Sequence, residues 1–337
     1  MAGGGLRRAV AGMSATRTGT YRSLLDLDAG SYQPHSVHGP GRTYLETNCY
    51  TDIIVELLHG RGDEPLAALG CLVRTDFEGD QWTFFKPPPE DLESLFGIDI
   101  HEMQPYRPLP LQIAEQIDQG RTIIVELDSW YLPDTASTSY RSEHVKTSIA
   151  AEAIDLERGW LRYFHGAGLY ELDGEDYVGI FRLGGDSSPE VLPPYTEIVR
   201  FDAGPRLEGS DLRTAALASL RRHLERRPRS DPFERFGAQL AHDLPVLLEA
   251  GPDAYHAYAF ATVRMVGAAF ELAAAQAEWL LASDATRSVA AMRTIVDGCK
   301  VLGFRLARRR PFDPGPVLGT LGDAWRETLG TLEEVVG

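Results

Sequence analysis

The chain has 337 residues of ordinary globular composition, 43% hydrophobic and 24% charged, with a formal net charge of −16. At roughly 150 residues per domain, this length predicts about two domains. The composition argues against extended disorder, and no continuous apolar run reaches the roughly 18 residues that cross a bilayer. Residues 1–204 contain 16 Lys and Arg against 32 Asp and Glu, whereas the remainder contains 17 of each. An acidic first part argues against a nucleic-acid-binding protein.

The cysteine count predicts a reducing environment. Cys49, Cys71 and Cys299 are odd in number, widely spaced and in no CxxC pair, so neither a disulfide framework nor a cysteine-rich zinc site is expected. Metal-binding HExxH spacing and the phosphate-binding motifs GxGxxG and GxxxxGK[ST] are also missing from the sequence. We therefore expect a cytoplasmic protein without a bound metal or cofactor.

The first strong element is an amphipathic helix. After an N-terminal tail and lead-in, residues 1–39, the run TNCYTDIIVELLHG has apolar residues at helical spacing and stops at Gly60. Thr47 or Asn48 can cap this helix, which places Cys49 in its first turn. Unpaired backbone N–H groups and the positive end of the helix dipole favour a thiolate there.

Strand patterns follow. A strand-like run begins at Cys71, Gly79 turns a hairpin, and a short helix is predicted at 89–96. Residues 121–132 form a buried strand that leads into a polar loop. His144 opens a second strand, and a turn near 155–159 connects it to a third strand as an antiparallel pair. The run 176–183 is predicted as a strand.

The periodicity changes near Pro205. From Asp211 onward, alanine-rich segments repeat apolar residues every three to four positions, and a final helix is predicted near 315–335. The expected fold class is α+β, with a papain-like α/β domain over residues 40–204 and an all-helical domain over residues 205–337.

Cys49 and His144 are the candidate catalytic pair. A helix N-terminus and a neighbouring imidazole are two standard causes of cysteine nucleophilicity. A cysteine helix followed by a histidine strand is the chain order of papain-like folds, although their CGSCW-type motif and preceding glutamine are missing here. The alternative is that Cys49 is a small buried hydrophobe and His144 a structural surface residue; Cys71 and Cys299 are interpreted as core residues.

Two further roles stay open at the level of sequence. Asp128 or His165 could orient the imidazole; papain-like strand order favours the position of His165, whereas Asp128 is the chemically easier carboxylate. Asn48 could supply an oxyanion donor beside the backbone N–H of Cys49, or it could be an ordinary helix cap.

Several long motifs resemble the bacterial family catalogued as domain of unknown function 1839. They are ETNCYTDIIVELLH, DFEGDQWTFFK, YLPDTASTSYRSEHVKT, YFHGAGLYELDGEDY, VGAAFELAAAQAEWL and KVLGFRLARRR. The resemblance covers roughly residues 40–330, but it implies no particular activity.

A more distant resemblance is to the N-terminal acyltransferase domain of butirosin biosynthesis protein H, which is papain-like. It rests on Cys49 at a helix start, a D-x-x-Y-L-P strand end from Asp128 through Tyr131, and the His144 strand. It implies transfer of an acyl or aminoacyl group from a carrier-protein phosphopantetheine thioester to Cys49 and then to an amine or hydroxyl acceptor, with Tyr131 as a substrate-binding candidate. A papain-like amidase or peptidase and a non-catalytic binding module are the alternatives.

The charge distribution suggests where an acidic carrier protein would dock. The acidic first part would repel it, whereas the neutral helical part has basic clusters at 221–229 and 305–310. The expected docking residues are Arg305, Arg308, Arg309 and Arg310, although a solvated helix surface is the simpler interpretation of both clusters. No nucleic acid or membrane partner is expected.

Overall fold

A computed structural model describes residues 20–45, 47–184 and 192–337. In this part of the chain the strands are β1 Tyr21–Ser23, β2 Phe77–Glu78, β3 Gln81–Trp82, β4 Asp99–Met103, β5 Thr122–Asp128, β6 Lys146–Asp155, β7 Trp160–His165, β8 Gly168–Asp173 and β9 Thr196–Arg200. The α-helices are α1 Cys49–Gly60, α2 Pro89–Phe96, α3 Leu109–Asp118, α4 Gly174–Ile180, α5 Gly209–Leu224, α6 Pro232–Ala250, α7 Pro252–Ala259, α8 Met265–Leu281, α9 Thr286–Ala307 and α10 Gly315–Val336.

The described chain forms two compact units. The first, the sheet unit, comprises residues up to Gln33 together with Asp99–Phe201, and the second, the helical unit, comprises Pro34–Ile98 with Asp202–Gly337. The predicted mixture of α and β structure, with a sheet in the N-terminal part and a helical C-terminal region, is confirmed.

The sheet unit is built on one antiparallel sheet. Its strand order is β4-β9-β5-β6-β7-β8, and β1 pairs with the far end of β6. Alternate residues Ile123, Val125 and Leu127 of β5 lie in the same apolar cluster as Ile113 of α3 and Tyr177 of α4. The period-two pattern of the strands thus buries one face of the sheet under these two helices.

The helical unit has its own core. Apolar residues of α5, α6, α8, α9 and α10 form one cluster with a short 3₁₀ helix, Pro65–Arg74, and with the β2–β3 hairpin. Within the hairpin Phe77 and Trp82 contact Phe236, with ring centroids 5.4 and 5.6 Å away. Tyr44 and apolar residues within 65–85 are buried among these helices. The compact units accordingly group Pro34–Ile98 with the helices, which differs from the predicted boundaries at 39/40 and 204/205.

Most of the predicted elements are confirmed. Helix α1 spans Cys49–Gly60, helix α2 spans Pro89–Phe96, and β2 and β3 form a hairpin in which Gly79 has φ +76°. Strands β6 and β7 are the predicted antiparallel pair, and the last helix, α10, ends at Val336.

Three local predictions were wrong. The run 176–183 is mostly helix α4, which buries Tyr177 and Ile180 three residues apart and has Glu175 and Asp176 in its first turn. The run that begins at Cys71 lies in a 3₁₀ helix. Strand β6 begins at Lys146, so His144 lies in the loop just before the strand.

Within the described residues, the helical run Pro252–Ala307 is long and apolar enough, by length and composition, to span a membrane. Of its most apolar 18-residue window, 67% is buried inside the protein. Core helices of a helical unit have this property, so the run is weak evidence for a membrane segment.

Candidate functional site

The end of β5 and the start of β6 bring Asp128 and His144 together. Asp128 is the last residue of β5 and pairs in register with Lys146, the first residue of β6. Ser129 N–H continues the ladder by donating to the carbonyl of Val145 at 2.9 Å. This pairing places His144 Nδ1 2.7 Å from Asp128 Oδ2.

The carboxylate of Asp128 is itself held in place. Its other oxygen, Oδ1, accepts a hydrogen bond from the backbone N–H of Trp130 at 3.0 Å. The Trp130 ring stacks on the His144 imidazole, with centroids 4.5 Å apart and planes inclined by 10°. His144 is therefore fixed by one hydrogen bond in its plane and one aromatic face, although 68% of its side chain is exposed.

This arrangement assigns the proton positions of a neutral His144. An ionised carboxylate only accepts hydrogen bonds, so Nδ1 is the donor and Nε2 holds the lone pair. Among the described residues, Nε2 has no hydrogen-bond partner, so it is available to accept a proton from a substrate or a nucleophile.

The imidazole lies at a cleft in the sheet unit. A cavity of about 400 Å³ is lined by Asp128, His144, Lys146 and residues 192–195. A smaller cavity of about 190 Å³ shares Asp128 and is lined by Tyr131 and Gly179. A Cβ on Gly179 would come within 2.1 Å of the Tyr131 ring, so glycine is required for this ring position.

His165 has a separate set of partners. Its Nδ1 lies 2.5 Å from Asp134 Oδ2, and its Nε2 lies 2.8 Å from Thr147 Oγ1. Tyr163 donates its hydroxyl to the other oxygen of Asp134 at 2.5 Å, and burial raises the pKa of Tyr163. Both imidazole nitrogens of His165 are thus committed, and Asp128 is the residue that contacts the His144 ring nitrogen.

In the helical unit, Cys49 is the first residue of α1 and is half-buried. Asn48 is the N-cap: its Oδ1 accepts from Thr51 N–H at 3.1 Å, and its Nδ2 donates to the Phe85 carbonyl at 2.5 Å. Thr51 Oγ1 donates to the same carbonyl at 3.0 Å. These bonds favour the capping interpretation of Asn48, which is 1% exposed; the oxyanion role stays a prediction.

A buried charged cluster anchors the same helix. Asp52 and Glu56, one turn apart on α1, both bond the imidazole of His38, and Arg42 lies 3.1 Å from Asp52. The backbone N–H of His35 also donates to Glu56. Because these carboxylates are at most 1% exposed, their pairing fixes α1, and with it Cys49, against the lead-in segment.

The cluster shifts two pKa values. Burial lowers the pKa of His38, but hydrogen bonds to Asp52 and Glu56 outweigh it, so the pKa is raised from its ordinary 6.5. Burial raises the pKa of Asp52, but Arg42 and His38 outweigh it, so that pKa falls below its ordinary 3.8. Both groups are therefore favoured in their charged forms.

The other cysteines are core residues. Cys71 is 8% exposed and Cys299 is 1% exposed. Burial raises the pKa of Cys71 to about 12 and also raises the pKa of Cys299. Cys49 is the more accessible thiol. It belongs to the helical unit and His144 to the sheet unit, so their pairing stays a prediction.

Trp130 and the charged cluster on α1 were not predicted from the sequence. An aromatic residue two positions after a strand-end carboxylate was a usable signal for Trp130. Charged residues at Asp52 and Glu56, inside an otherwise apolar helical run, were a signal for buried ion pairs. His38 gave no local signal because its partners lie 14 and 18 residues away.

Comparison with family models gives two adjacent matches. The DUF1839 N-terminal domain matches residues 33–201, and the DUF1839 C-terminal domain matches residues 209–334. No curated protein matches the chain.

Proposed function

The chain belongs to the DUF1839 family, and we propose that it is a Cys-dependent acyl or aminoacyl transferase. The observation that carries the proposal is the Asp128–His144 couple, in which the carboxylate holds Nδ1 at 2.7 Å and leaves Nε2 directed to no described residue. A carboxylate that orients an imidazole is the arrangement by which general bases activate nucleophiles.

In the proposed reaction, Cys49 is the nucleophile. Its sulfur attacks the carbonyl carbon of a thioester while His144 Nε2 takes the thiol proton; the departing thiol leaves with that proton, and an acyl-Cys49 thioester forms. An amine or hydroxyl acceptor then attacks the acyl group, His144 takes the acceptor's proton, and the Cys49 thiol is restored. No oxidant or bound cofactor is consumed.

Papain-like architecture belongs to the proposal as well. It is supported by a half-buried cysteine at the first position of a helix and by a histidine in the loop just before a strand of an antiparallel sheet. One feature departs from the papain-like order: the orienting Asp128 precedes His144 in the chain, on β5 rather than on β7. The carboxylate lies against the same ring nitrogen that an orienting residue from a later strand would contact.

The donor in this proposal is the phosphopantetheine arm of an acidic carrier protein, which docks near the end of α9. Arg308, Arg309 and Arg310 are exposed there, and Phe304, one turn before Arg308, is 70% exposed. Arg305 differs from them, because it donates to the Asp313 carbonyl at 3.3 Å. Exposed cations around an apolar side chain are suited to an acidic, partly apolar helix of a partner.

Reversing these charges tests the docking surface. The triple variant R308E/R309E/R310E should slow transfer from the carrier at least tenfold and leave transfer from an N-acetylcysteamine thioester within twofold of wild type. Charges at the rim of an interface act mainly on the rate of association, so the carrier-dependent rate should also fall as the salt concentration rises. At 0.1 M salt, charges are screened beyond a Debye length of about 10 Å. A variant that uses the carrier as well as wild type would exclude this surface.

A partition experiment separates a transferase from a hydrolase. With a small thioester as donor, product is counted with and without an added amine, such as a free amino acid. A transferase should form amide in excess over free acid when an accepted amine is present. Release of free acid alone across a panel of amines and alcohols would favour the hydrolase instead.

A further inference from the structure

The helical unit contains a basic cleft of about 750 Å³, lined by parts of residues 71–88 and 226–235. Its lining contains two acidic residues, Asp76 and Glu78, against the cations Arg74, Lys86, Arg226, Arg227, Arg229 and Arg235. In a chain of net charge −16, this concentration of positive charge is a local exception. It makes the cleft the place where an anion would be attracted.

Two of the arginines are already engaged in contacts within the protein. Arg235 pairs with Asp76 and donates to the Phe77 carbonyl at 3.1 Å. Arg227 pairs with Glu333 and donates to the carbonyl of Leu224 at 2.9 Å.

The remaining arginines are different. Arg74, Arg226 and Arg229 are exposed, and within the described ranges no carboxylate lies in ion-pair distance of any of them. Their guanidinium groups are available to a ligand.

The backbone that bears these three arginines is held by secondary structure, a hydrogen bond and a buried residue. Arg74 ends the 3₁₀ helix Pro65–Arg74. Arg226 and Arg229 follow α5, where Arg226 N–H donates to the His223 carbonyl at 3.0 Å and Pro228 is buried. The side chains can move, but their anchoring points are held, which lowers the cost of gathering them around one anion.

The cleft also offers an apolar surface. Phe84 lines it and is 56% exposed, stacked at 18° on the buried Phe85. An aromatic face beside several guanidinium groups is suited to a ligand with an anionic group and an organic part. Because guanidinium forks match phosphate oxygens in pairs, phosphate is a better match than a single carboxylate.

We infer that the basic cleft binds a phosphate ester through Arg74, Arg226 and Arg229, with Phe84 beside the organic group. Two sources share this chemistry: the phosphopantetheine of an acyl donor and a free nucleotide-like phosphate. The first source rests on the proposed function. The peptide carbonyl of Phe85 in the cleft wall accepts the bonds from Asn48 and Thr51 at the start of α1, so the wall and the Cys49 turn are joined.

Calorimetric titration of the full chain tests the cleft with matched pairs of ligands. Phosphopantetheine is compared with pantetheine, and AMP with adenosine, so that each pair differs by the phosphate alone. The cleft variant is R226A/R229A. The control is R287A/R293A, since it removes two exposed arginines of α9 that do not line the cleft and changes the net charge equally. Circular dichroism and the melting temperature check that each variant is folded.

Wild type should bind at least one phosphate ester tenfold or more tighter than its phosphate-free partner. The cleft variant should lose that difference and the control should keep it, and inorganic phosphate should compete. Discrimination within the first pair points to the acyl donor; discrimination within the second pair alone points to a free nucleotide. Equal affinities within both pairs, or equal losses in both variants, would overturn the inference.

Failure here can be separated from failure of the proposed function. Acylation of Cys49 is measured in parallel with a phosphate-free N-acetylcysteamine thioester. Acylation of Cys49 without phosphate discrimination would exclude the phosphate site and keep the proposed transferase activity. Phosphate discrimination without acylation would keep the phosphate site and exclude the transferase activity.

Discussion

Replacing Asp128 by Asn tests whether the carboxylate sets the tautomer of His144. The amide is nearly isosteric, and its oxygen can still accept from Trp130 N–H, as Asp128 Oδ1 does at 3.0 Å. Its NH₂ group would then face His144 Nδ1. An NH₂ group donates and cannot accept, so the substitution favours the tautomer with the proton on Nε2, which cannot act as a base.

The size of the effect follows from exposure. A hydrogen bond to a charged group contributes about 1.5–3 kcal/mol, and we take about half, roughly 1 kcal/mol, because 68% of the His144 side chain and 33% of the Asp128 side chain are exposed. The new amide donor adds a similar preference for the opposite tautomer, about 1 kcal/mol. Together, about 2 kcal/mol shifts the ratio of the two tautomers about 30-fold. If the tautomers are otherwise equal, the base-competent fraction falls from about 85% to about 15%, roughly fivefold.

Long-range ¹H–¹⁵N correlation NMR reports the tautomer directly, and intact-protein mass spectrometry reports the rate of Cys49 acylation. Asp128→Asn should move most of the His144 signal to the Nε2–H pattern and slow acylation about fivefold or more. Glu126→Gln is the control, because it removes a carboxylate that lies 2.7 Å from Lys146 Nζ on the neighbouring strand. A wild-type tautomer and a wild-type acylation rate in Asp128→Asn would show that the Asp128 carboxylate does not set the tautomer of His144.

Two further predictions concern stability and thiol accessibility. The pKa of His38 is raised and that of Asp52 is lowered, so their joint contribution to the free energy of unfolding should be full between about pH 4 and 6.5 and should fall outside that window. Urea unfolding measured across pH should show this dependence. A His38→Gln chain that keeps the same decline in stability above pH 6.5 would contradict it. Iodoacetamide with peptide mapping should label Cys49 in the native protein and label Cys71 and Cys299 only after unfolding; equal native labelling of all three would exclude a specially accessible Cys49.

Local patterns predicted the elements that have clear ends. Gly60 closes α1, Pro89 begins α2, and Gly79 turns the β2–β3 hairpin. The prediction failed where residue propensity and residue spacing favour different structures. Tyr177 and Ile180 favour a strand by propensity, yet their spacing lets both be buried on one side of α4.

The rest depended on contacts between distant residues. Nothing local to residues 65–85 indicates that their apolar side chains pack among α5, α6 and α8 in one core. The choice between Asp128 and His165 as partner of His144 likewise depended on strand pairing. Register places Asp128 beside the start of β6, whereas Asp134, in a short 3₁₀ helix 31 residues before His165, bonds His165.

Trapping the acyl-enzyme tests directly whether Cys49 is the nucleophile of an acyl transfer. The full chain is mixed with a carrier-bound or N-acetylcysteamine thioester, quenched in acid, and analysed by intact-protein and peptide mass spectrometry. We expect one added acyl mass, located on Cys49, removed by hydroxylamine and missing in Cys49→Ala. An unmodified Cys49 across a broad panel of thioesters, or full transfer activity in Cys49→Ala, would contradict it.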